Sequence, residues 1–195
     1  MARPKSFDRE AVLEKAMDTF WERGYEATSI QDLVECMGIN RGSLYDTFGD
    51  KRGLFQAAIA FYDNKVVRKA IAHLEAPGAS KQAIVDHFQG LAAPEDADCR
   101  GCLITNAAVE IGIRDPDLHR QIVANWQRVE DAFFKALTRA QDKGEVAAEV
   151  DTRSLARYFT CVMQGLRVMS KLRPDPIVLQ SIVTVTLSTL QAPEA

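Results

Sequence analysis

Apolar side chains recur at steps of three and four residues from one end of the chain to the other, and no stretch alternates in the two-residue rhythm of a strand. The expected fold is therefore all-α. A first helix is expected from Phe7 to Arg23, with Val12, Leu13, Ala16, Met17, Phe20 and Trp21 on one stripe and Gly24 ending it. In "ATSIQDLVECMG", Thr28 and Gln31 stand three apart as a capping box, Ile30, Leu33, Val34 and Met37 face inward, and Gly38 closes the helix. The turn "GIN" leads to a third helix from Asn40 to Phe48. Two short helices joined by a glycine-containing turn, behind a longer one, make a helix-turn-helix arrangement.

Further helices follow with clear punctuation. Asp50 caps one that runs from Lys51 to Leu74, "EAPGAS" breaks it, and another spans Lys81 to Ala92 before the acidic loop "APEDAD". A sixth starts near Gly101 and ends before "RDPD", where Asp115 as N-cap and Pro116 as first helical residue open a long seventh, closed by Gly144. Asp151 opens the eighth, and "RPDP" separates it from a last helix, Ile177 to Leu190. About nine helices result, divided into a three-helix unit at residues 1–53 and a larger helical unit at 54–195. In the eighth helix Leu155, Phe159, Val162, Leu166 and Met169 repeat at 4-3-4-3, and the last carries Leu179, Ile182, Val183, Thr186 and Leu190. These two helices are expected to pair with their symmetry mates as the four-helix bundle of a homodimer.

The third helix, "RGSLYDTF", is unusual on its outer side. Leu44 and Phe48 point to the core, while Gly42 and Asp46 lie nearly opposite, flanked by Ser43, Tyr45 and Arg41. A bare backbone position beside a hydroxyl, a phenol and a guanidinium suits close approach to phosphates and base edges, and the major groove accepts one such helix.

Composition narrows the classes. With 47% apolar and 26% charged residues the chain can bury a sizeable core; it has no apolar run near the roughly 18 residues of a membrane helix and no secretory signal in "MARPKSF", so a cytoplasmic protein with no membrane partner is expected. A formal net charge of −3 argues against indiscriminate coating of nucleic acid, and residues 1–53 hold eight Lys or Arg against ten Asp or Glu, so affinity must come from placement of Arg3, Lys5, Arg9, Arg41, Lys51 and Arg52. There is no nucleophile with a recognisable base, no phosphate loop and no convincing metal set, which excludes neither binding nor regulation but speaks against an enzyme, a cofactor or a resident metal.

Four cysteines, Cys36, Cys99, Cys102 and Cys161, are too few and too unevenly spaced for a disulfide framework. Cys99-Arg-Gly-Cys102 admits three readings: buried or incidental thiols, a redox sensor whose thiol pKa is lowered by Arg100 and a helix N-terminus, or a metal site completed by His73, His87 or His119.

"ATSIQDLVECMGINRGSLYDTFGDKRGLF", Ala27 to Phe55, resembles the DNA-binding signature of TetR-family transcriptional regulators, and "GCL..N..VE", Gly101 to Glu110, is similar to one branch of their C-terminal domains. The resemblance implies a homodimer that binds double-stranded operator DNA and is released by a small-molecule effector, as a repressor would be. It carries DNA contacts onto Thr28, Arg41, Gly42, Ser43, Tyr45, Asp46, Thr47 and Lys51, with Thr28 and Lys51 on phosphates. Asp46 can accept from cytosine N4, or pair with Arg41 or Lys51, or simply repel phosphate. Aromatic and Met residues of the C-terminal unit then line an effector pocket as well as the core. Phe61, Phe88, Trp126, Phe133, Phe159 and Met163 are candidates, with the polar Asn106, Glu110, Tyr158 and Gln164 on otherwise apolar faces.

Overall fold

Carboxylate and amide caps place most of the helix starts. The computed structural model describes residues 7–92, 100–173 and 175–190. Asp8 accepts from the N–H groups of Glu10 and Ala11 and opens α1, Arg9–Arg23. Helix α2, Ile30–Met37, starts one residue later than its sequence signal suggests. Ser29 and Asp32 form the capping box, while Gln31 reaches forward to Glu35 and the Thr28 hydroxyl donates to Gly24 O at 2.6 Å. Asn40 caps α3, Arg41–Phe48, and Asp50 caps α4, Lys51–Tyr62.

Helix α4 continues through a π turn, Asp63–Val67, into α5, Arg68–Glu75, so one rod covers the span expected of a single helix. Then come α6, Lys81–Ala92; α7, Leu103–Glu110; α8, Pro116–Asp142, capped by Asp115; α9, Thr152–Leu172, capped by Asp151; and α10, Pro176–Ser188, capped by Asp175. Counting α4 to α5 as one rod, the described residues form nine helices and no strand.

The core has two foci. In the first, α1 lies along α4 and α2, and Phe20 meets Phe55 edge-on at 4.8 Å above the buried Leu33, Leu44 and Leu54. In the second, Phe88 of α6, Phe133 of α8 and Phe159 of α9 enclose one another at ring distances of 5.2 to 5.8 Å.

That second focus corrects the expected dimer stripe. Phe159, Leu166, Leu179, Val183, Thr186 and Leu190 are fully buried inside one protomer, and Leu155, Val162, Met169 and Ile182 pack half-buried against the same core. A bundle helix needs one apolar face for its own protomer, and the bulkiest stripe takes it. The outward side of α9 carries a second 3-4-3-4 series: Tyr158, Cys161, Gly165, Val168 and Leu172, all exposed.

Candidate DNA-reading head and effector cavity

Helix α3 turns Leu44 inward and lays Phe48 half-buried under the Arg9 guanidinium, 5.7 Å from the ring centre. This leaves Arg41, Gly42, Tyr45 and Asp46 exposed on the outer face, Tyr45 by 44%, with Ser43 and Thr47 half-buried at its edges. The sheltered Thr47 hydroxyl has no hydrogen-bond partner among the described residues. Gly42 also has a local use, since a Cβ there would stand 3.3 Å from the Asn40 amide oxygen that caps the helix.

Two expectations for the head are corrected. Thr28 has no exposed surface, and its hydroxyl holds the α1–α2 turn instead of meeting a phosphate. Arg52 faces the other unit, where it donates to Asp115 at 2.5 and 2.7 Å and to Asp117 at 2.7 Å. Its guanidinium holds the Asp115 carboxyl down at about 2. Lys51 stays at the front, its Nζ 4.5 Å over the Tyr25 ring and 3.5 Å from Glu26 O. Among the described residues Asp46 has neither Arg41 nor Lys51 within ion-pair distance, so intramolecular pairing does not account for its charge.

Further contacts join head to body. The Glu110 carboxylate, at the end of α7, accepts the backbone N–H groups of Tyr25 at 2.9 Å and Glu26 at 2.8 Å. Gly24, at φ 84°, makes room for it: a Cβ would stand 3.0 Å from both carboxylate oxygens. At the other end of α7, Trp21 donates to Arg100 O at 3.1 Å while the Arg100 guanidinium covers its ring and reaches Asp18. Glu110, expected in a ligand pocket, is thus a clamp on the head, and Asn106 donates to Arg100 O in support of the same junction.

The body encloses a cavity of about 20 Å³ among α5, α6, α8, α9 and the start of α7. Of the expected pocket residues, Trp126, Met163 and Gln164 line it. Phe88, Phe133 and Phe159 are consumed by the core, Phe61 packs half-buried against it without lining the cavity, and Tyr158 is exposed on the outer face of α9. His87, weighed from sequence only as a metal ligand, and two residues not singled out by sequence, Asn125 and Arg167, complete the polar lining. Arg167 donates to Tyr62 at 3.3 Å and faces Cys102. Burial pushes the Cys102 thiol up, but Arg167, Thr105 and Tyr62 together bring it below its ordinary value. Gly101, at φ 71°, lets this segment lie against α9, where a Cβ would meet Arg167 O at 2.8 Å. Cys99 lies outside the described residues, as do Arg3 and Lys5; among the described residues Cys36, Cys102 and Cys161 are free thiols and no cluster of metal ligands occurs.

A three-helix head with an exposed, capped second helix of a helix-turn-helix, braced on a hollow helical body, is the architecture of a DNA-binding transcriptional regulator. Comparison with known proteins agrees. Residues 12–58 match the profile of bacterial regulatory proteins of the tetR family, and 78–186 match a tetracyclin repressor-like C-terminal domain. The chain is 42% identical to the HTH-type transcriptional regulator YezE of Bacillus subtilis, over 97% of this chain and all of that one. It is 33% identical to the HTH-type transcriptional repressor ComR of Escherichia coli, over 87% and 82%. Among solved structures, a cysteine-substituted form of the TetR-family regulator CifR bound to a 26-base-pair operator superposes with a TM-score of 0.85 at 31% identity, covering 97% of this chain and all of that one. The chain belongs to the TetR family. Members of this family are transcriptional regulators that bind DNA, not enzymes, and among the described residues no helix is long and apolar enough to cross a membrane.

Proposed function

We propose that this protein is a cytoplasmic, homodimeric repressor that holds a near-palindromic operator through α3 and releases it when a small molecule occupies the cavity. The carrying observation is the position of α7. Its N-cap, Cys102, is part of the cavity wall, and its last residue, Glu110, grips the backbone of the head. The rod from α4 to α5 runs parallel in logic, beginning beside α3 and ending with Ile71 and Leu74 on the cavity. A ligand that favours a wider cavity shifts both elements and so the placement of the head.

Arg41, Gly42, Ser43, Tyr45, Asp46, Thr47 and Lys51 are the proposed contact set, reduced from the sequence expectation by Thr28. The proposed dimer surface is the outer face of α9 with the exposed Ile177 and Val185 of α10. Gly165 sits in the middle of that face with nothing within 4 Å of an added Cβ, room in which a partner helix approaches closely.

A mobility-shift assay on the DNA upstream of the coding region tests the reading. Wild-type protein is expected to shift it, and Tyr45→Ala with Arg41→Ala to abolish the shift while melting like wild type. A shift that survives both changes would remove α3 from the DNA.

A further inference from the structure

Three residues of the cavity lining each hold a buried nitrogen with no hydrogen-bond partner among the described residues: Nε of Arg167, Nε1 of Trp126 and Nε2 of His87. Each residue keeps some exposed surface, but none at that atom. Two are obligatory N–H donors, and the imidazole nitrogen is a donor in one tautomer. A guanidinium shut away without a carboxylate costs free energy unless something anionic meets it. Among the described residues no Asp or Glu lines the cavity. Asp63, which reaches the lining through Asn125, accepts from Asn125 and Arg128, both at 2.6 Å. The group of the cavity wall that faces the guanidinium is the Cys102 thiol.

We propose that this cavity is a carboxylate site: the effector is a small organic acid whose carboxylate is held by Arg167, Trp126 and His87. The space of about 20 Å³ accepts one water-sized group, hence a head and not a whole molecule. The remainder has a way out. Trp126 and Gln164 line the cavity on one side and, on the other, an open groove of about 460 Å³ between α8 and α9, whose lining includes Val123 and Thr160. The head therefore sits inside among donors, and a short, largely apolar tail lies past Trp126. This assignment rests on the ligand-responsive reading above, which places the effector in the same cavity.

The test uses full-length protein labelled with ¹⁵N-tryptophan and sodium propionate and benzoate at fixed ionic strength, with propionamide and nitrate as controls. Both acids are expected to move the Trp126 indole N–H signal saturably, leave that of Trp21 in place and raise the melting temperature. Propionamide should bind at least about tenfold more weakly, the loss expected when a charge-assisted contact becomes a neutral one. Trp126→Phe, which removes one donor, and Arg167→Gln should weaken the acids by a similar factor. Cys102→Ser, which removes the thiol that competes for Arg167, should strengthen them, an effect that misfolding does not mimic. Equal binding of the amide, nitrate binding as well as the acids, or no response to either acid at about 50 mM would overturn the site. Operator binding followed in parallel keeps the two readings apart. Acid binding without operator release refutes the ligand-responsive role and leaves the site. Release by a neutral molecule in protein that ignores the acids does the reverse.

Discussion

Lys51 shows how one side chain can stand between two roles. Its ammonium lies over the Tyr25 ring and near Glu26 O, a place that orders the head from within, yet it also stands at the N-terminus of α4 beside α3, where phosphate would pass. If phosphate is its partner, Lys51→Ala lowers the slope of log K against log salt by about one. Weaker binding with an unchanged slope would assign Lys51 to the Tyr25 ring alone. His87 has a different signature. Burial, with Arg167 and His73 adding to it, drives its pKa from 6.5 down to about 4, so the folded protein keeps it neutral while the unfolded chain protonates it. The unfolded state binds the extra proton between those two values, so stability falls as pH drops through that window. The expected loss from this group between pH 7 and pH 5 is about 2 kcal/mol. Urea unfolding at both pH values should show a smaller loss in His87→Gln; an identical loss in the two proteins would mean that His87 is not held neutral.

At the scale of elements, α7 is short but has both ends occupied, one on the cavity and one on the head. Glu110→Ala should leave operator affinity within a few fold, as the head keeps its own core, but should raise hydrogen exchange at the Tyr25 and Glu26 amides and blunt effector-driven release. Unaltered release would move the coupling to the rod from α4 to α5. On α9, Val168→Asp with Val185→Asp should give a folded monomer by light scattering at micromolar concentration; a dimer that survives both would place the interface elsewhere. Sequence made the boundaries of these helices legible because Asp, Asn, Gly and Pro mark them locally. It did not reveal which of the two stripes on α9 faces inward, because both repeat at helical spacing. Packing decides that, and the stripe with Phe159 and Leu166 goes to the core. Glu110 was misleading for a related reason: a carboxylate on an apolar face signals a polar partner, but not that the partner is the backbone of another unit.

Across the whole molecule, the head was legible and the cavity was not. The head's residues are contiguous, so a run from Ala27 to Phe55 carries caps, turn and reading face in one register. The cavity draws its donors from α6, α8 and α9, more than seventy positions apart at the extremes, and Arg167 stands between Leu166 and Val168 with nothing local to mark it as buried. Thr28 and Arg52 were misplaced because position along a motif does not give direction in space; both serve contacts within the protein itself. The proposed dimer implies a symmetric reader, two α3 helices related by a two-fold axis, each with Tyr45 and Asp46 at its front, the carboxylate without an ion-pair partner among the described residues. Selection of duplexes from a random library by the wild type and by Asp46→Ala tests this most directly. The account predicts that the wild type recovers a near-palindrome with a cytosine at matching positions of both half-sites, and that Asp46→Ala recovers the same palindrome with that base relaxed, a discrimination of about 1 to 3 kcal/mol. Recovery of no common sequence, or of one unpaired half-site, would contradict it.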